Sequence, residues 1–406
     1  MTISEDMKTA YINYAMEVLA SRIRVSQAQY ELCEKHFRGI TSFLDNSELD
    51  SYKPKLRPQG SMRLGTAIRS LNNENDFDVD IVVELQDLPD NFTPKKLKEA
   101  VGDPLKKSER YGKLIHPQEG GKRCWTIKYG DGTHVDLLPA AVNDEYVRAI
   151  IRETFTSYNE FGLRITDKTR YWEYNYETDR TKWLLSNPIG FAEWFFTMAR
   201  ALEPIHKASS MTLVRATVEP MPKWDKNDFL VLQKIICLMK RHRDVMFGDD
   251  EGKPISMIIT VLAAKAYANA APGDLFATML AVANGMVSQM DVKNGNRVVL
   301  NPVNPEEDFT DRWRKSDAGN REKKFYQWVD KLKKDLVVLQ TYNKVQIGLA
   351  LKEMFGEAAG ADAVEELGRK FMEDNRSKKM TSTGVFSSVA GTIAAKPNTF
   401  YGKITK

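Results

Sequence analysis

The run Phe77–Leu85, FDVDIVVEL, constrains the fold more than any other segment. It is rich in β-branched residues and ends in the polar stretch QDLPDN, which reads as one strand and its exit. Asp78 and Asp80 lie two apart on that strand, so both carboxylates project from the same face. Two acids side by side are costly unless a cation neutralises them. Magnesium suits such a pair, because it takes carboxylate oxygens together with the phosphate oxygens of a substrate. Asp76 and Asp78 form a second acid pair of the same period. Asp78 and Asp80 are preferred because Ile81-Val82-Val83 follows directly and supplies the strand that would position them, leaving Asp76 in the approach turn.

A hairpin follows. Arg123–Tyr129 (RCWTIKY) alternates apolar and polar residues, Gly130-Asp131-Gly132 makes the turn, and Thr133–Leu138 (THVDLL) returns as a strand that Pro139 should stop. Asp136 falls mid-strand between apolar neighbours, an expensive place for an acid unless it is paired or holds a metal. Upstream, Tyr52–Pro58 (YKPKLRP) reads as extended, and it leads into Gln59-Gly60-Ser61. Glycine then serine at a helix start lets backbone N–H groups and a hydroxyl approach phosphate oxygens. Taken singly, each piece has a plain structural use: Gly60-Ser61 as a helix cap, Asp78 and Asp80 as an exposed edge, Asp136 as one half of an ion pair. All of them in this order and spacing fit the two-metal arrangement for in-line phosphoryl displacement.

The rest of the chain reads as helix. From Ile3 to about Phe43, Gly39 is nearly the only breaker, and Ala10, Ile12, Ala15, Val18, Leu19, Ile23 and Val25 recur with helical rhythm. One long helix or two nearly continuous ones are expected there. Pro94–Val101 reads as a short helix. Helices are also expected over 229–246, 254–270, 275–289, 311–344 and 347–354, with Asn301–Asp308 as a loop tied down by two prolines. Beyond about Asn375 a Ser/Thr/Gly/Lys-rich tail reads as flexible. The expected organisation is an N-terminal helix over 1–45 bridging the lobes, a catalytic core over 46–215, a helical lobe over 216–375 and a tail over 376–406.

Composition narrows the chemistry. Net charge is +4, from 59 basic and 55 acidic residues, so any basic surface is local and a small phosphorylated substrate is favoured over a polymer. Cys33, Cys124 and Cys237 lie far apart, suggesting neither a disulfide framework nor a cysteine zinc site. The N-terminus has no signal-peptide pattern, and no apolar run approaches the ~20 residues that span a bilayer, so a cytoplasmic protein is expected.

These motifs resemble the polymerase-β-type nucleotidyltransferase superfamily and, more closely, the bacterial CD-NTases of anti-phage (CBASS) systems, including their clade D. The residues that carry the likeness are GSMRLGTAI (Gly60–Ile68), DVDIVVEL (Asp78–Leu85) and HVDLLPA (His134–Ala140). In the helical region they are CLMKRHRD (Cys237–Asp244), KPISMII (Lys253–Ile259) and NPVNPEEDFTDRW (Asn301–Trp313). The resemblance implies an α/β (α+β) fold: a polymerase-β-like core with a mixed sheet, joined to a helical C-terminal lobe with the active site between them. It implies that Asp78, Asp80 and Asp136 hold two Mg2+ ions, for which Mn2+ can substitute, and that Gly60, Ser61, Lys240 and Ser256 reach the triphosphate. The implied activity is synthesis of a cyclic di- or trinucleotide second messenger from ATP, with or without GTP, acting on a downstream effector. A ubiquitin-transfer-like partner acting on the C-terminal tail is a further expectation, although Ile404-Thr405-Lys406 ends on no small residue. Nothing corresponds to the zinc insertion of the animal cyclic GMP-AMP synthase, which argues against DNA activation. Two other readings stay open: an RNA- or tRNA-end nucleotidyltransferase, and an inert nucleotide-binding or antitoxin-like module.

Overall fold

The computed structural model describes residues 5–71, 77–142, 162–202, 219–225, 228–315 and 319–377, with short strand pieces at 379–380, 386–387 and 393–394. Asp76 and most of the tail therefore lie outside the described residues.

The N-terminal segment forms two helices, α1 (Glu5–Ile23) and α2 (Gln27–Asp45). Ser26 separates them by a reciprocal cap: its N–H donates to Gln29 Oε1 at 2.9 Å, and the Gln29 N–H donates back to Ser26 Oγ at 3.3 Å. Ser-x-x-Gln is a readable signal, and it locates the break within the helical rhythm. The interruption also has a structural use, since Val25 N–H donates to Ala67 O (3.3 Å) and Arg69 N–H to Ile23 O (3.0 Å).

The sheet is mixed and six-stranded, in the order β1-β2-β4-β5-β6, with β3 also paired to β4. After β1 (Pro54–Gln59) comes a one-turn helix α3 (Gly60–Arg63), then β2 (Phe77–Leu85) antiparallel to β1. α4 (Pro94–Lys107) leads to the hairpin of β3 (Trp125–Lys128) and β4 (Thr133–Val142). β4 lies parallel to β2. Pro139 does not stop β4. It stands where the flanking partner changes from β3, whose first residue Trp125 lies opposite Leu137, to β5 (Leu163–Ile165), whose last residue Ile165 lies opposite Ala140. A residue without an N–H costs the ladder least at such a junction. A six-residue helix, α5 (Tyr171–Tyr176), precedes the edge strand β6 (Leu184–Ser186).

Helices then dominate: α6 (Pro188–Ala199), α7 (Val231–Phe247), α8 (Ser256–Ala268) and α9 (Leu275–Gly285). Short strands follow, β7 (Asp291–Lys293) pairing with β8 (Asn296–Val298) and β9 (Leu300–Asn301) with β10 (Asn304–Asp308). The expected loop at Asn301–Asp308 is thus largely strand. Its Pro305 sits in a two-stranded ladder with an irregular register, where a missing N–H is tolerated. α10 (Arg321–Leu339), α11 (Lys344–Phe355) and α12 (Glu357–Ser377) complete the helical part.

Two main cores result. One gathers Ile12, Leu19, Phe195, Leu238, Leu262 and Trp328, so α1 and α6 pack with the later helices. The other gathers Phe37, Leu56, Ile81, Leu97, Ile127 and Leu137 around the sheet, with α2 and α4 on it. Burying one such side chain contributes roughly 1.5–3 kcal/mol. Ile81, Val82 and Val83 are all fully buried, which holds the strand bearing Asp78 and Asp80 rigid at its centre.

Candidate active site

Strand register builds the site. Asp80 stands opposite Gln59 on β1 and opposite Asp136 on β4, while Asp136 stands opposite Thr126 on β3. These four residues form one row across the sheet, on one face. Gly60, next in the chain after Gln59, passes directly over Asp80. It takes φ +65°, and a Cβ built on it would lie 2.0 Å from Asp80 Oδ2. Both the backbone conformation and the close approach demand glycine.

The row is an acid cluster short of counter-charge. Burial, then the charges of Asp136 and Asp78, push the Asp80 carboxyl up to about 7, with Lys240 acting the other way. The Thr126 hydroxyl donates to Asp136 Oδ1 at 2.5 Å. The Asp78 side chain is 72% exposed, with Oδ1 3.7 Å from His134 Nδ1. Among the described residues no three His, Cys, Asp or Glu side chains already converge closely enough to ligate an ion. The donor chemistry nevertheless fits a divalent cation: three carboxylates on adjacent strands repel one another, and Asp78 lies on the same sheet face as Asp80.

Behind Gly60-Ser61, helix α7 grips the backbone. Gln233 Nε2 donates to Leu64 O at 2.8 Å, Lys240 Nζ to Thr66 O at 2.9 Å, and an Arg241 Nη to Arg69 O at 2.7 Å. Lys240 and Arg241 follow Gln233 by seven and eight residues, about two turns, so the three share one helix face. All three are buried. On the loop side, Leu64 N–H donates to Gly60 O and Thr66 N–H to Ser61 O, closing the turn on itself. Burial, foremost, lowers the Lys240 ammonium to about 8, while Asp80 is one of the charges that support it. The structure therefore engages Lys240 with Thr66, within electrostatic reach of Asp80. Ser256 opens α8, where its hydroxyl accepts from Arg243 Nη1 at 3.0 Å.

A cleft of about 1230 Å³ lies between the sheet and the helical part. Asp136 and Thr126 line it from the sheet, and Lys253, Asn304 and Arg312 from the other side. Gly60, Ser61, Asp78, Asp80, Lys240 and Ser256 are not among its lining residues. The sequence reading missed Gln233 and Arg241 as loop holders, and Arg164 as a half-buried cleft residue whose Nη1 donates to Trp183 O at 2.7 Å. Helical spacing in α7 could have flagged the first two; nothing local marks Arg164.

A family profile described as "Second Messenger Oligonucleotide or Dinucleotide Synthetase domain" matches residues 11–157, which hold the whole acid row. A c-di-GMP synthase of Roseivirga ehrenbergii is 25% identical, covering 99% of this chain and 100% of its own. A cyclic dinucleotide synthase, CdnG, of Bradyrhizobium diazoefficiens is 25% identical, covering 73% of this chain and 69% of its own. Among solved structures, the Bradyrhizobium diazoefficiens CD-NTase CdnG in complex with GTP shares the fold with a TM-score of 0.63 at 20% identity, covering 87% of this chain and 97% of that one. Fold, acid row and comparisons together define a nucleotidyltransferase. Within that class the chain is similar to bacterial cyclic dinucleotide synthases, one of them matched along its full length.

Proposed function

We propose that this enzyme joins purine nucleoside triphosphates, GTP with or without ATP, into a cyclic dinucleotide messenger, releasing pyrophosphate. The observation that carries the reading is the row Asp80–Asp136 with Gly60 pressed against it. It sets a phosphate-approachable backbone beside mutually repelling acids. The full-length similarity to a c-di-GMP synthase supports a dinucleotide product over a trinucleotide one.

In this reading Asp78, Asp80 and Asp136 hold two magnesium ions, which when bound supply activation of an attacking hydroxyl and neutralisation of the departing pyrophosphate. The protein's own part is positional. Gly60 and Ser61 present backbone N–H groups and a hydroxyl to the triphosphate. Lys240 and its helix keep that turn fixed, with Lys240 adding positive potential, and Ser256 is assigned to the triphosphate on the motif resemblance. Thr126 holds one Asp136 oxygen and thereby orients the carboxylate. The cleft is large enough for two nucleotides by the usual scale of ligand sites, about 300–1,000 Å³ each. Among the described residues no helix is long and apolar enough to cross a membrane, in keeping with a cytoplasmic enzyme whose product acts on a separate effector.

Incubation with radiolabelled triphosphates and magnesium, followed by phosphatase, tests the reading. Phosphatase-resistant label in a small product is expected. Label transferred only to added RNA would instead establish an RNA-end enzyme, and no incorporation an inert module. The tail beyond Asn375 is assigned to a ubiquitin-transfer-like partner; mass spectrometry showing only free C-terminus during phage challenge, with neighbouring genes present, would refute that assignment.

A further inference from the structure

A second cavity, of about 370 Å³, lies apart from the cleft. Three lysines (Lys95, Lys106 and Lys168) and three rings (Trp125, Tyr171 and Tyr174) line it. α4 supplies two of the lysines, β3 the tryptophan, the segment entering α5 the third lysine, and α5 itself the two tyrosines.

The lysines are crowded; Lys95 and Lys106 are weakly paired, while Lys168 Nζ donates to Glu119 O at 2.5 Å and Gly120 O at 3.2 Å. Lys98, fully buried beside them, is lowered to about 8, chiefly by burial and then by the charge of Lys168, with Lys106 adding to it. Lys106 and Lys98 stand 4.5 and 5.6 Å from the centre of the Trp125 ring. The Lys95–Glu99 and Lys106–Asp103 pairs are long, at 3.9 and 3.6 Å, and solvent-exposed. Such pairs bind their charges loosely, leaving them available to an anion.

The aromatic wall is equally uncommitted. α5 reads YWEYNY and buries none of its residues. Tyr171, Trp172 and Tyr176 are 68%, 69% and 57% exposed, touching chiefly one another at ring separations of 6.4 and 5.5 Å. Of these exposed rings Tyr171 lines the lysine-bearing hollow, together with the part-buried Tyr174, and the two offer a stacking platform for a planar anion. The rim also carries Glu99 and Glu119, and a carboxylate is an acceptor for paired ring N–H and amino groups. Guanine presents that pair, adenine does not.

We propose that this cavity binds a guanine mononucleotide, its base stacked on Tyr171 and Tyr174 with its N–H edge toward a rim glutamate, and its phosphate among Lys95, Lys106 and Lys168. The site stands back to back with the acid row. Trp125 faces it, while Thr126, the next residue on β3 and so on the opposite face, donates to Asp136. One strand separates the two sites. The proposal does not depend on which nucleotides the catalytic cleft consumes.

Isothermal titration of the full chain with GMP, without divalent ions, tests it. Wild type should bind one GMP per chain with sub-millimolar affinity, and AMP about tenfold more weakly. Lys106→Glu and Tyr171→Ala, both at exposed side chains, should each weaken GMP at least several-fold, and Lys106→Glu with Lys168→Glu should abolish binding. Asp78→Asn with Asp80→Asn should bind GMP as wild type does. No GMP binding by wild type, equal binding of AMP, indifference to Lys106→Glu and Tyr171→Ala, or loss in the aspartate variant would each overturn the proposal.

Discussion

The acid row and the α7 clamp sit on either side of the same short turn, yet they are built on opposite terms. In the row, Asp80 and Asp136 face each other across parallel strands and Asp80 is driven toward its neutral form. In the clamp, Gln233, Lys240 and Arg241 each meet a backbone carbonyl at 2.7–2.9 Å. One region is set by like-charge repulsion and the other by hydrogen bonds to backbone carbonyls. The contrast shows where the protein keeps unmet demand for a ligand and where it holds its geometry. A repulsive row retains its spacing only if the turn above it cannot drift.

The largest effect should come from removing the two acids of β2. Asp78→Ala with Asp80→Ala is expected to cut nucleotide incorporation by at least ~10³-fold while thermal stability holds or rises, because repulsion is lost with the acids. Radiolabel incorporation beside a melting curve checks both halves, and persistent activity would break the assignment. Next, Gly60→Ala would force φ +65° on alanine and drive a Cβ into Asp80. A displacement of about 1 Å there should cost on the order of 10² in kcat. Steady-state kinetics within twofold of wild type would contradict that close approach.

The clamp should yield more gently. Gln233→Leu leaves the Leu64 carbonyl buried without its donor, at a cost of about 1–3 kcal/mol. The resulting slack should raise KM for the triphosphate about tenfold and lower kcat less, since Gln233 touches the turn rather than the reacting atoms. An unchanged KM would leave the clamp a purely structural feature. The smallest effect is on stability. Asp80 is raised from 3.8 to about 7, so the folded state keeps a proton that the unfolded chain releases across that window. Metal-free stability therefore falls as pH rises through it. At pH 8, Asp80→Asn should be more stable than wild type by roughly 1–3 kcal/mol, and at pH 3 equally stable. Urea denaturation at the two pH values reads this, and a parallel offset at both would refute it.

The row was legible in the sequence because both of its determinants are local: period two within FDVDIVVEL, and an acid stranded among apolar neighbours in HVDLL. The clamp was not, since Gln233 and Leu64 lie far apart in the chain and meet only when α7 crosses the turn. Lys240 shows both sides. Its motif marked it for function by resemblance, but its burial against Thr66 is a tertiary fact. The helix break at Ser26 had a readable capping signal that the continuous apolar rhythm hid. Pro139 misled in the other direction, because whether a proline ends a strand depends on which neighbour flanks it at that residue.

The most direct test of the central contrast is ion-induced stabilisation. The melting temperature of the metal-free chain at pH 8 should be measured with and without Mg2+, and again with Mn2+. The same pair of measurements belongs on Asp80→Asn with Asp136→Asn. The acid row predicts a clear upward shift in wild type and none in the double variant, whose metal-free form should start out the more stable of the two. An equal shift in both proteins, or none in wild type, would contradict the row as the place where the protein awaits its cation.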